Sequence, residues 1–321
     1  MDPFIRTAHE EGNLGELVGV ATDHPLLALA LRDMYGHVWT CMTQTAGADV
    51  GRLGGMALTL GGGPLSSRPR ATVNYRIDGP AHRLLFEPFP RRVRAVFGGE
   101  TVLDTISGML LHESNVLPQL YLPRDDVRDD LLTRTDHRTH CPFKGDASYW
   151  SVAVNGQTAD NALWSYLDPL PDAGWLRDYV ALYWGSMDAW FDEDEEVAGH
   201  LRDPYHRVDV RSTSRHVQVV AGDDVVAESR RAVVLSETGL PNRFYLPTDD
   251  VRSALLELSS THAVCPYKGT ASYRSLRAPS GLIIDAAWCF PEPLDGVRAI
   301  RGYLCFAAEG VTTWVDADLL K

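Results

Sequence analysis

YLPRDDVRDDLLTRTDHRTHCPFKGDASY, residues 121–149, returns 124 positions later as YLPTDDVRSALLELSSTHAVCPYKGTASY, residues 245–273. The two align without a gap and 16 of 29 positions are identical, far too many for chance, so the chain carries a tandem duplication. The same offset pairs Glu113 with Glu237, Trp164 with Trp288, Pro169 with Pro293, Tyr179 with Tyr303 and Trp190 with Trp314. It runs from Arg83 paired with Arg207 to Val197 paired with Lys321. The expected organisation is therefore an N-terminal extension over 1–63, a first repeat over 64–197, a linker over 198–206 and a second repeat over 207–321.

Within each repeat the pattern is mostly strand. VRAVFGGETVLDT (93–105) and VQVVAGDDVVAES (217–229) each read as a hairpin, turning at Gly98-Gly99 and Gly222-Asp223. MLLHE, SYWSVAV, ALWSY and YVALYW add further β-rich runs. DDVRDDLL and DDVRSALL alone look helical, with Asp125 and Asp249 as caps. In the extension, TDHPLLALALRDMYGHVW predicts a helix with Asp23 as cap and Pro25 in its first turn. The expected fold class is mainly β, two compact antiparallel domains plus a helical N-terminal extension.

Composition narrows the function. A formal charge of -13 repels phosphate backbones and anionic membranes, and no basic stripe compensates, so nucleic acid is not an expected partner. No apolar run is long enough to span a bilayer and the N-terminus has no secretory pattern, so a cytoplasmic protein with no membrane partner is expected. Five widely spaced cysteines with no C-x-x-C pair argue against a disulfide framework or a four-cysteine zinc site. Homo-oligomerisation stays open.

The ordered set of a Glu after an apolar strand, YLPRDDV, CPFKGDASYWSV, NALWSYLDPLP and YVALYWGSMDAW resembles the family called domain of unknown function 427, in its tandem bacterial form. The resemblance covers about 56–321 and implies a β-tent architecture, two antiparallel sheets meeting at an angle over a small pocket. A nucleotidyltransferase name sometimes attached to the family finds no support here, because no Gly-Ser with paired aspartates is present to hold nucleotide and magnesium.

The turn CPFKG, repeated as CPYKG, is the candidate site. The thirty basic residues include only three lysines, and two of them, Lys144 and Lys268, stand at the same place in this turn. Three readings are open. Pro142 and Gly145 explain a purely structural corner; Lys144 could anchor a ligand carboxylate; or the turn could do covalent chemistry, through a Cys141 thiolate favoured by Lys144 or a Schiff base on a lysine of lowered pKa. Glu113 and Glu237 are candidate general bases or pocket acceptors, against strand-end carboxylates in water.

His137 and His140 precede Cys141 only in the first repeat, where they could move protons; their adjacency and the lack of a fourth ligand argue against a metal, and no cofactor is expected. Tyr149, Trp150, Trp164 and Tyr179, with Tyr273, Trp288 and Tyr303, are candidate walls of a ligand pocket or members of a core. Arg274 replaces Trp150 and Ser236 replaces His112, so the first repeat is expected to retain the site. The expected function is an enzyme acting on a small anionic or carbonyl-containing metabolite through the Cys/Lys turn; the alternative is a non-catalytic ligand-binding or scaffolding module.

Overall fold

The computed structural model describes residues 74, 79, 80 and 82–320, except 115, 198 and 239. The expected N-terminal helix lies outside them. The chain divides between Asp203 and Pro204 into two units.

The first unit is built from β1 (Leu84–Pro88), β2 (Val93–Phe97), β3 (Glu100–Thr105), β4 (Met109–Glu113), β5 (Val116–Pro123), β6 (Leu132–Cys141), β7 (Gly145–Val154), β8 (Gln157–Ser165), β9 (Tyr179–Leu182), β10 (Ala189–Asp192) and β11 (Glu195–Glu196). They form a seven-stranded sheet, β1-β4-β5-β9-β8-β7-β6, and a four-stranded sheet, β11-β10-β2-β3. The strand pairings within them are antiparallel.

The second unit repeats the plan with β12 (Val208–Ser212), β13 (Val217–Ala221), β14 (Asp224–Ser229), β15 (Val233–Glu237), β16 (Arg243–Pro247), β17 (Leu256–Cys265), β18 (Gly269–Ala278), β19 (Gly281–Cys289), β20 (Tyr303–Phe306), β21 (Val311–Val315) and β22 (Asp318–Leu319). Its sheets run β12-β15-β16-β20-β19-β18-β17 and β14-β13-β21-β22. Each unit is thus mainly β with two antiparallel sheets, as expected. Gly98 and Gly99, both at positive φ, make the first hairpin turn, a conformation with no steric cost for glycine.

DDVRDDLL and DDVRSALL are not α-helical. Each is a pair of single 3-10 turns, Arg124–Asp126 with Asp129–Leu131 and Thr248–Asp250 with Ser253–Leu255, and none has a side-chain cap. The cause is the residue between the turns. Val127 is extended, buried and bridged to Leu103, and Val251 is bridged to Ala227. A continuous helix would withdraw these valines from the core.

Side-chain alternation along the large sheet divides its two faces. Leu110, Leu120, Leu122, Leu163, Val180 and Leu182 point to the four-stranded sheet and pack with Val93, Ala95, Val102 and Leu103. Their neighbours Leu111, Tyr121, Tyr149 and Ala181 point the other way and build a separate aromatic-rich cluster. That second face carries the candidate site.

Leu163 is fully buried between the sheets. Leu163→Ala is expected to lower stability by about 2–5 kcal/mol through lost burial and the cavity left behind, read as a lower urea midpoint. An unchanged midpoint would contradict a sheet-to-sheet core at this position.

Candidate functional site

The turn between β6 and β7 is closed by Lys144 N–H donating to the Cys141 carbonyl at 3.3 Å, while the Lys144 carbonyl accepts from Leu170 N–H at 3.0 Å. Gly145 follows at φ +102°, where a Cβ would stand 3.4 Å from the Leu170 nitrogen. Glycine is required here by conformation, and the turn is tied to the following loop.

From this turn Lys144 Nζ donates to Glu113 Oε2 at the end of β4. Three strands, β5, β9 and β8, separate β4 from β7 in the sheet order. Across a flat sheet four strand spacings are about 19 Å, so the sheet must curl strongly to bring the two charges together. The other Glu113 oxygen accepts from His82 Nε2 at 2.9 Å. Phe143, one residue before the lysine, stacks flat on His82 at 3.6 Å between centroids.

The second unit builds the same triad from His206, Glu237 and Lys268. Lys268 Nζ to Glu237 Oε2 is 2.5 Å, His206 Nε2 to Glu237 Oε1 is 3.0 Å, and Tyr267 lies 4.3 Å from His206. Both lysines and both glutamates therefore converge, and neither glutamate is a strand end in water.

His82 and His206 are absent from the sequence-based set. Their signal was present, one position before the aligned pair Arg83 and Arg207 at the same offset of 124. His206 lies in the stretch read as a linker.

Glu113 is buried. Burial alone pushes its carboxyl up, but the Lys144 charge, together with the His82 and Lys144 hydrogen bonds, outweighs it and holds the group down at about 2. Burial likewise pushes Lys144 down, and the Glu113 charge overrides it, so the ammonium is held above its ordinary range. For Glu237, burial again opposes and the His206 bond and Lys268 charge prevail downward.

A carboxylate only accepts, so His82 Nε2 carries the hydrogen directed at Glu113. The opposite ring nitrogen, Nδ1, is buried and has no hydrogen-bond partner among the described residues. Lys144 has three N–H donors, and one acceptor is recorded for it among the described residues. The rest of its surroundings is aromatic, with the Tyr166 ring centroid 5.9 Å from Nζ.

Of the residues picked from sequence, Cys141 is half-buried at the end of β6 and packs with Tyr121 and Tyr149. Tyr149 is buried, its hydroxyl 2.8 Å from Thr139 Oγ1. Trp164 bonds Tyr121 and lies 4.6 Å from Tyr183, while Tyr179 meets Phe86 edge-on at 5.1 Å. In the second unit Trp288 donates to Tyr245 Oη at 3.1 Å, and Tyr273 lies 6.2 Å from Trp288. These aromatics share the triad's face of the sheet, and Tyr303 packs with them.

Three picks lie elsewhere. Trp150 alternates with Tyr149 and so packs against the core between the sheets, with Arg124 and Arg134 over its ring. Its replacement by Arg274 therefore does not bear on the second unit's site. His137 is exposed, edge-on to Tyr149 at 4.4 Å, and His140 is exposed and bonded to Asp146 at 2.6 Å. His140 alternates with Cys141 and so leaves its face for solvent, whereas His137 stays exposed against the Tyr149 ring, and it is His82 whose imidazole bonds Glu113. His112, behind Glu113, bonds Glu87 instead.

Each unit is thus a small β domain with a His-Glu-Lys triad on the aromatic face of its large sheet, buried in the first unit and half-buried at Glu237 and Lys268 in the second. The family profile described as Domain of unknown function (DUF427) matches residues 85–193 and again 209–317, and the chain belongs to that family, in tandem. No curated protein matches the chain.

Breaking a buried ion pair from one side costs about 3–5 kcal/mol, so Lys144→Met and Glu113→Gln are each expected to destabilise the first unit by about that amount, because each leaves its partner's charge buried without a counter-ion. The pH dependence has a definite sign. A carboxyl lowered on folding stabilises above its ordinary 4.5 and loses that contribution as pH falls toward about 2. The stability gap between wild type and Glu113→Gln in urea should therefore narrow across that window. A constant gap would mean that folding does not lower the Glu113 pKa.

Proposed function

We propose that each repeat binds a small molecule through a carbonyl or carboxylate oxygen placed on its ion-paired lysine, with Lys144 serving this role in the first repeat. The observation that carries the reading is the Lys144 ammonium itself, buried, held charged by Glu113 and bonded to one recorded acceptor. A second acceptor for such a group lowers a large desolvation cost. Tyr121, Tyr149, Trp164 and Tyr179 cluster on the same face of the sheet, the Tyr166 ring lies 5.9 Å from Nζ, and few polar groups on an aromatic surround suit a small organic ligand.

The chemistry available is that of a fixed cation. Lys144 can hydrogen-bond and polarise an oxygen. It does not fit the Schiff-base role, which needs a free amine of depressed pKa. Glu113 orients the ammonium, and His82 holds the carboxylate from the other side. We further propose a bacterial, cytoplasmic protein; the reducing compartment is supported by the absence of any disulfide at the four described cysteines. Among the described residues no helix is long and apolar enough to cross a membrane.

An enzymatic reading has one observation in its favour, that Cys141 is close enough to act electrostatically on Lys144. In that reading the thiol adds across a carbonyl held by Lys144: the sulfur–carbon bond forms, the π pair moves to oxygen and the thiol proton ends there.

Ligand-observed NMR with acetone, pyruvate and acetate tests both. Lys144→Met combined with Lys268→Met is expected to weaken binding at least tenfold. Binding that survives both changes would refute the lysine anchor. Cys141→Ser is expected to bind as wild type; loss of a thiol adduct in that variant, seen by intact-mass analysis, would instead favour the enzyme.

A further inference from the structure

The two triads are alike, but their surroundings differ in charge. In the first unit the Tyr183 ring packs on Trp164 at 4.6 Å, and Gln119 on β5 spends its amide on the Leu120 carbonyl at 3.1 Å. At the offset of 124, Tyr183 becomes Ala307 and Gln119 becomes Arg243. The Arg243 guanidinium now lies over Trp288, 5.8 Å from its centroid. A neutral ring has been exchanged for a cation against the same tryptophan.

Arg243 is two residues from Tyr245 on β16, so both point to the triad's face, while Phe244 between them enters the core between the sheets. It stands opposite Leu235 on β15, two residues before Glu237. Burial pushes the Cys305 thiol up to about 12, and Arg243 and Lys268 both oppose that shift. Cys305 itself lies on the triad's face, in one cluster with Leu235 and Tyr245.

Arg243 is half-buried and makes no ion pair with a described residue. Glu237, on the same face, is taken by Lys268 and His206. The second site thus has two cations, Lys268 and Arg243, on one face with Glu237, where the first has Lys144 with Glu113. A guanidinium presents paired N–H donors that match a carboxylate, a geometry an uncharged carbonyl cannot use fully.

We propose that the repeats have divided their ligands by charge: the second binds a carboxylate, held by Arg243 beside Lys268, and the first prefers an uncharged carbonyl compound at Lys144. This rests on the lysine-anchor reading above. It assigns to Arg243 a specificity role and to the Gln119/Arg243 and Tyr183/Ala307 exchanges the choice of ligand.

The test uses the full chain with acetate and acetamide, which are close in shape and differ in charge, titrated at constant ionic strength by ligand-observed NMR. Arg243→Gln is expected to weaken acetate at least tenfold and leave acetamide unchanged, while Arg243→Lys retains most of the acetate affinity. The mirror change, Gln119→Arg with Tyr183→Ala in a chain that keeps Arg243, is expected to add a second acetate site, sensitive to Lys144→Met. It decides the matter even where Arg243→Gln folds poorly. Acetate binding that depends on Lys268 but not on Arg243 overturns the division by charge and leaves the lysine anchor standing. Binding of neither probe, or binding insensitive to Lys144→Met and Lys268→Met, overturns both.

Discussion

The buried pair of Glu113 and Lys144 is the constraint on which the first unit's form depends. A lone buried charge is strongly unfavourable, and each member of this pair is buried deeply enough that it can be ionised only in the other's presence. They come from strands separated by three others, so satisfying the pair obliges the seven-stranded sheet to curl and the β6–β7 turn to fold back over its own face. Gly145, the Lys144–Leu170 bond and the His82–Phe143 stack all serve that position. Replacing the pair by apolar residues of the same size could preserve stability. The pair is present in both repeats, with Glu237 and Lys268 in the second.

The same arrangement also limits the chemistry. Ion pairing keeps Lys144 charged, which favours contact with an oxygen and removes the nucleophilic amine. The glutamate is likewise held ionised and occupied on both oxygens, so it orients its partners and is poorly placed to abstract a substrate proton. What remains is a positive point set in aromatic walls, and the duplication allowed that point to be kept while its surroundings changed. Arg243 for Gln119 and Ala307 for Tyr183 alter the charge of the second site without disturbing its triad.

Much of this was legible in the chain. The offset of 124 exposes the duplication, the glycine turns expose the hairpins, and the scarcity of lysine singles out Lys144 and Lys268. Where the reading failed, a long-range contact decided. DDVRDDLL has the local signature of a capped helix, yet the bridge from Val127 to Leu103 holds its centre extended. His137 and His140 adjoin the cysteine in sequence, but both are exposed, while His82, 62 residues before Lys144 by number, joins its carboxylate.

By itself the sequence determined the repeat, the strand-rich class and the residue types available for a site, because these follow from identity at a fixed offset and from local pattern. Only the tertiary structure decided which residues meet. Tyr149 and Trp150 are adjacent and equally aromatic, yet strand alternation places one on the triad's face and the other in the core between the sheets. Which face curls over the buried charges is a property of the whole sheet, and no short stretch of sequence encodes it.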